Sequence, residues 1–372
     1  VMRLASDGQI VWQSQLFTDS PGGTVSKLIL DEDGNLAGIG VTNGSPNQTG
    51  RSFIFQMDPN TGTLNWGHEL LYDFGDAMIN DFDHARPGAP YTLVGESLSA
   101  GTVGSALNGF ILQLATSDGI ATGGLRLFFA EGQATFDRII WQRDRNRFYV
   151  SGKQFSIINP GSLVLTFDEM ANFTGGSVIF MPDPTNTTNA LAQDGVQTIF
   201  VTNAATNATG LSRLNVFRCA ASGGMELALA LQAPTFQLLT NAEVNAAGYL
   251  ISTLSSSGEV LIQLDRNGNL LWSNSYELSI LSSVGFNFHP TDIAPDGGIV
   301  LAGNRIDNGA NIPAILKLLP DGSSAGNCSP VTPYPISVEP FEETVTNWFG
   351  QAEELEIAYV DISWEPLGLE PG

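Results

Sequence analysis

Seven segments of one form recur along these 372 residues, and no other feature restricts the possible folds as tightly. In each, apolar and polar residues alternate, the alternation breaks at a turn-forming stretch, and it then resumes. The clearest pair is Met2-Arg3-Leu4-Ala5-Ser6-Asp7-Gly8-Gln9-Ile10-Val11-Trp12 and Val260-Leu261-Ile262-Gln263-Leu264-Asp265-Arg266-Asn267-Gly268-Asn269-Leu270-Leu271-Trp272, with Trp four residues after the turn Gly. The others lie in 53–71, 110–129, 163–180, 214–231 and 314–328. Period-two alternation interrupted by Asp-Gly or Asn-Gly is the signature of a β-hairpin. The last apolar residues before these turns are Leu4, Met57, Leu114, Phe167, Phe217, Leu264 and Leu318, spaced 47 to 57 residues apart.

A second hairpin lies between consecutive anchors. Its best copies run 25–40, around Asp33-Gly34, and 291–303, around Asp296-Gly297. Weaker copies fall in 77–96, 136–152, 188–202 and 238–253. Two hairpins per period make a four-stranded unit, and tandem four-stranded units are the blades of a β-propeller. The expected fold is therefore all-β, a propeller of about seven four-stranded blades. Seven hairpins of the first kind stand against six of the second, so the first blade is expected to be incomplete, its missing half lying upstream of Val1 or supplied by a C-terminal strand. Gly-x-Gly or Leu-x-Gly at the end of the second strand points to close packing that a side chain would obstruct.

Composition agrees. Charged residues are 14% of the chain and Gly numbers 41, a mixture poor in helix formers and rich in turn formers. The formal net charge of −23 opposes binding to phosphate backbones or anionic lipid, so nucleic acid is excluded as an expected partner. No apolar run reaches the ~18 residues of a membrane span, so no membrane insertion is expected. A break follows Cys328. The propeller is expected over 1–328, and 329–372 as a Pro-rich acidic tail with one or two strands, carrying nine acidic residues and no Lys or Arg.

The units Leu264-Asp265-Arg266-Asn267-Gly268-Asn269-Leu270-Leu271-Trp272-Ser273 and Asp296-Gly297-Gly298-Ile299-Val300-Leu301-Ala302-Gly303 resemble the repeats of secreted β-propellers from Bacteroidota. That resemblance covers about 1–328 and implies a large bacterial surface or gliding-associated protein exported by type IX secretion. A second segment, Met57-Asp58-Pro59-Asn60-Thr61-Gly62-Thr63-Leu64-Asn65-Trp66, is similar to the tryptophan-docking repeat of pyrroloquinoline quinone propellers. It implies that Trp12, Trp66 and Trp272, with Gly8, Gly62 and Gly268, lock one blade on the next.

Candidate chemistry is sparse. Arg138, Arg143, Arg145 and Arg147 form the one basic cluster, a candidate site for a protein or an acidic glycan. Asp31-Glu32-Asp33-Gly34-Asn35 has the look of a surface calcium loop, but position twelve is Thr42 where an EF-type loop needs Glu, so a hairpin turn is the preferred reading. Neither a cofactor nor a metal centre is otherwise expected, since His68, His84 and His289 lie in separate repeats. Cys219 and Cys328 are either free thiols or one long-range disulfide. With a defined scaffold and no catalytic constellation, the expected function is a non-enzymatic binding or spacer module on a cell surface. The alternatives are a propeller enzyme, acting on polysaccharide or dependent on a quinone, and a fibre subunit that self-associates by strand donation through 336–372.

Overall fold

The computed structural model describes residues 1–5, 9–17, 23–42, 51–72, 77–99, 106–128, 132–156, 161–180, 189–195, 197–204, 212–219, 225–233, 236–255, 258–276, 291–307, 310–324, 331–340, 345–347, 351–354, 357–361 and 363–366. Among them the one helical element is the 3₁₀ turn Arg143–Arg145, and everything else regular is strand. The chain is an all-β β-propeller. An opening hairpin, Met2–Leu4 with Ile10–Phe17, supplies two strands of a blade, and six blades follow.

Five blades are four-stranded antiparallel meanders with their strands in chain order. The first holds Gly23–Leu30, Leu36–Thr42, Ser52–Met57 and Leu64–Tyr72, and the second Ala77–His84, Tyr91–Ser99, Ala106–Leu114 and Ala121–Phe128. The third runs from Gly132–Gln142 to Phe173–Phe180, the fourth from Asn189–Asp194 to Met225–Ala233, and the fifth from Phe236–Asn245 to Leu270–Tyr276. The sixth shows Thr291–Ile293, Ile299–Asp307 and Ala310–Leu318, with a bridge from Leu318 to Ser324.

The chain divides into two compact units: Val1–Phe148 with Phe167–Thr174 and Phe349–Gly372, and Tyr149–Thr166 with Gly175–Trp348. In the first, one core joins Ile39 and Ile54 of the first blade to Phe82, Leu93, Phe110 and Leu112 of the second. In the second, Val201, Val216 and Leu231 of the fourth blade share a core with Leu239, Ile251 and Ile262 of the fifth. The second-strand glycines make room for rings. A Cβ on Gly38 would collide with the Phe55 ring, and one on Gly95 would collide with the Met78 carbonyl and stand 2.7 Å from Phe110, both Phe residues lying on the adjacent third strand.

Among the described residues the acidic segment carries six short strands where one or two were expected. Each extends an existing sheet, and they are taken up in reverse order of the blades. Val331–Pro333 pairs with the fourth strand of the fifth blade, Ser337–Pro340 with that of the fourth, and Val345–Asn347 with that of the third. Gln351–Glu354 then pairs with the second blade, Ile357–Asp361 with the first, and Ser363–Pro366 with the opening hairpin. The sequence shows the alternation of such strands, but an edge ladder is made by backbone groups, which any residue but Pro supplies.

Candidate functional site

The first strand of a blade is where polar groups collect, and the reason is a bulge. Register slips between Val25 and Lys27, between Ile79 and Asp81, and between Leu239 and Asn241, the same place in three blades. A bulge re-aims the side chains beside it. Here they reach the first strand of the following blade. Lys27 Nζ meets Asp81 Oδ1 at 2.6 Å and the Phe82 carbonyl at 2.9 Å. Asn80 donates to the Phe136 carbonyl at 2.7 Å, and Asp81 Oδ2 accepts the Ile139 N–H at 2.9 Å. In the second unit Asn241 donates to the Thr291 carbonyl at 2.9 Å. These bonds satisfy buried polar atoms and fix blade to blade.

Glu259 stands apart from these staples. It opens the third strand of the fifth blade, Gly258–Leu264, and is 1% exposed. Alternation puts it on the face of Leu261 and Gln263, which is buried like the opposite face. Its Oε1 accepts hydrogen bonds from Thr240 Oγ1 (2.8 Å), beside the bulge, and from Ser252 Oγ. Thr291 Oγ1 donates to that Ser252 hydroxyl at 2.9 Å, and its neighbour Asp292 is exposed on the first strand of the sixth blade. Oε2 is buried with no hydrogen-bond partner among the described residues. Burial pushes the Glu259 carboxyl up to about 7, and the two hydroxyls offset this only in part. The group therefore holds its proton up to neutral pH. Sequence reading passed over Glu259 because a single acid in an apolar strand carries no motif; its position on a buried face was the available signal.

The structure separates the arginine cluster. Arg143, Arg145 and Arg147 sit on the turn between the first two strands of the third blade, where Arg143 pairs with Glu32. Arg138 lies inside the preceding strand, 3% exposed, with Asp81 and Asp137 the nearest charges, and burial lowers its pKa. Five positions of strand carry it away from the turn, onto the buried side.

The tryptophans meet glycines of the next hairpin. A Cβ on Gly62 would lie 2.6 Å from the Trp12 ring, one on Gly119 2.6 Å from Trp66, and one on Gly322 2.7 Å from Trp272. Trp12 Nε1 donates to the Pro59 carbonyl and Trp66 Nε1 to that of Thr116, each at 2.9 Å. Gly268 faces Leu229 and Leu227 instead of an indole, and Gly8 lies outside the described residues.

The remaining candidates have local partners. Asp31 Oδ1 accepts the backbone N–H groups of Asp33 (3.0 Å) and Asn35 (2.7 Å), and Oδ2 takes the Tyr91 hydroxyl, so the acidic run closes a hairpin turn. Asp168 and Asp265 cap turns of the same local form between the third and fourth strands of the third and fifth blades. His68 Nε2 contacts the Asp118 carbonyl at 2.7 Å, His84 Nε2 that of Ala89 at 2.9 Å, and His289 lies outside the described residues. No group of three metal-ligating side chains is assembled among the described residues. Cys219 is a free thiol whose pKa burial pushes up to about 11; Cys328 lies outside the described residues. Among the described residues no helix is long and apolar enough to cross a membrane.

Neither a protein-family model nor a curated protein matches the chain. Solved structures do. An α-L-arabinanase of Penicillium chrysogenum, complexed with arabinobiose, is 11% identical with a TM-score of 0.46, over 87% of this chain and 94% of its own. A β-1,2-mannobiose phosphorylase of Listeria innocua, in complex with β-1,2-mannobiose, is 12% identical with a TM-score of 0.35, over 86% and 93%. A protein of Parabacteroides distasonis described as a glycoside hydrolase is 11% identical with a TM-score of 0.33, over 72% and 88%. At such identities the likeness is one of fold, which stands on the sheets above. These neighbours are described as carbohydrate-active enzymes, against the expectation of a non-enzymatic module; at this level of similarity none of their activities is carried to this chain.

Proposed function

We propose that this chain is a propeller enzyme that cleaves polysaccharide, with Glu259 as its proton donor. The observation that supports this reading is the state of that carboxyl: buried, positioned by Thr240 and Ser252 through one oxygen, unpartnered at the other, and protonated near neutrality. Cleavage of a glycosidic bond needs a carboxylic acid that keeps its proton at working pH beside a second, ionised carboxylate. Asp292 is the candidate for the second group. It is exposed on the neighbouring strand, next in sequence to the Thr291 whose hydroxyl donates to Ser252. An extracellular setting, in keeping with the acidic composition, belongs to the same proposal.

The test is reducing-end release from a panel of plant and microbial polysaccharides by the full chain, beside Glu259→Gln and Asp292→Asn. Activity on one member, lost in Glu259→Gln with the fold intact by circular dichroism, is expected. No release from any member by the parent, or full activity in Glu259→Gln, would refute the proposal.

A further inference from the structure

Each complete blade has its four strands before the C-terminal segment arrives, so the fourth strand of each presents an edge. An unpaired edge is a row of free N–H and C=O groups and a template for another chain. Segment 331–366 covers the fourth-strand edges of the first five blades and the outer strand of the opening hairpin. It does so with ladders of only three to five residues, joined by connectors of one to four. Isolated two-stranded pairing of that length is marginal in water, so the strands hold as a linked set.

The segment is anchored at its beginning. Tyr334 exchanges hydrogen bonds with Ser273 in both directions, at 2.9 and 2.5 Å, and stacks on Phe236 with ring centres 6.0 Å apart. Tyr334, Ile336 and Val338 also pack on the shared core of the fourth and fifth blades. The nine carboxylates of 329–372 have no Lys or Arg among them, and the whole chain carries −23. Release of such a segment is favoured by charge repulsion and opposed by the ladders.

We infer that segment 331–366 is an edge cap, a strap whose release opens the fourth strands to edge-to-edge pairing with a second copy of this chain. The partner is a second copy because the strap extends a fourth-strand edge in each of five blades, and every copy offers the same edges. Those freed strands need only the antiparallel backbone ladder that the strap itself uses. The inference is independent of any activity at Glu259.

The test uses the full chain. Prolines at adjacent positions, Ala352→Pro with Glu353→Pro and Ala358→Pro with Tyr359→Pro, remove a ladder N–H whichever residue of each pair faces the blade. Limited proteolysis within 341–366 and sedimentation velocity over a range of concentrations are read together. The parent is expected to be monomeric and protected, and the proline variant to be cleaved there and to shift to concentration-dependent oligomers. A second variant, Leu71→Cys with Ala358→Cys in a Cys219→Ser, Cys328→Ser background, joins register partners and is expected to cross-link within one molecule and stay monomeric. Four results would overturn the inference: a cleaved proline variant that stays monomeric, a proline variant as protected as the parent, cross-links between molecules, or a parent that already associates with its strap protected.

Discussion

Gly34 and Gly119 share a backbone conformation and differ in what surrounds them, which isolates the worth of the tryptophan docking. Their φ angles are +85° and +72°. A Cβ on Gly34 meets nothing within 4 Å, whereas one on Gly119 stands 2.6 Å from the Trp66 ring and 2.7 Å from His68 Cδ2. Alanine in the left-handed region costs about 1–2 kcal/mol, offset by about 0.4–1 kcal/mol through the less flexible unfolded chain. Gly34→Ala should therefore cost about 1 kcal/mol. Gly119→Ala adds overpacking of about 1–3 kcal/mol and strains the Trp66–Thr116 hydrogen bond, worth about 1 kcal/mol. The total is about 3–5 kcal/mol. Both sites lie in the same compact unit, so one transition serves both. Urea unfolding followed by tryptophan fluorescence measures the two variants against the parent. Trp66→Ala, alone and with Gly119→Ala, completes a double-mutant cycle. Without the indole, Gly119→Ala should cost less by the share of the overpacking that the ring supplies, and the His68 contact should keep it above Gly34→Ala. Equal costs for the two glycines, or a Gly119→Ala cost that ignores the loss of Trp66, would refute the docking argument.

Three other outcomes are expected. The Glu259 pKa is raised on folding, from 4.5 to about 7, so the folded chain binds more protons in that window and stability falls as pH rises through it, by at most about 3 kcal/mol; Glu259→Gln should flatten that slope in denaturation at pH 5 and pH 8. Tyr91→Phe removes the hydroxyl that donates to buried Asp31 and accepts from Gln56 at 2.7 Å, for a loss of about 1.5–3 kcal/mol, read as a shift in the urea midpoint. In a Cys328→Ser background, Cys219 should resist iodoacetamide at pH 8 in the folded chain and react promptly in urea, because its thiol stays protonated.

The hairpins were legible because their signals are local. Alternation needs only near neighbours, and Asp265 closes its turn on Asn267 and Asn269 by bonds that span two and four residues. The repeat singled out the tryptophans, but which glycine each one meets came only with the structure: Trp66 meets Gly119 and Trp272 meets Gly322, while Gly268 meets Leu229. The candidate site was not legible. Arg138 is near Arg143 in sequence, yet the strand carries one into the core and leaves the other on a turn. Glu259 owes its proton to Thr240 and Ser252, which come from two other strands, and to burial that no local pattern announces. The strap depended wholly on tertiary structure. The sequence by itself determined the repeated antiparallel hairpins, because side-chain alternation and turn chemistry act over a few residues. Where the acidic segment goes was decided by which strand edges remained unpaired, and that exists only once the blades have formed.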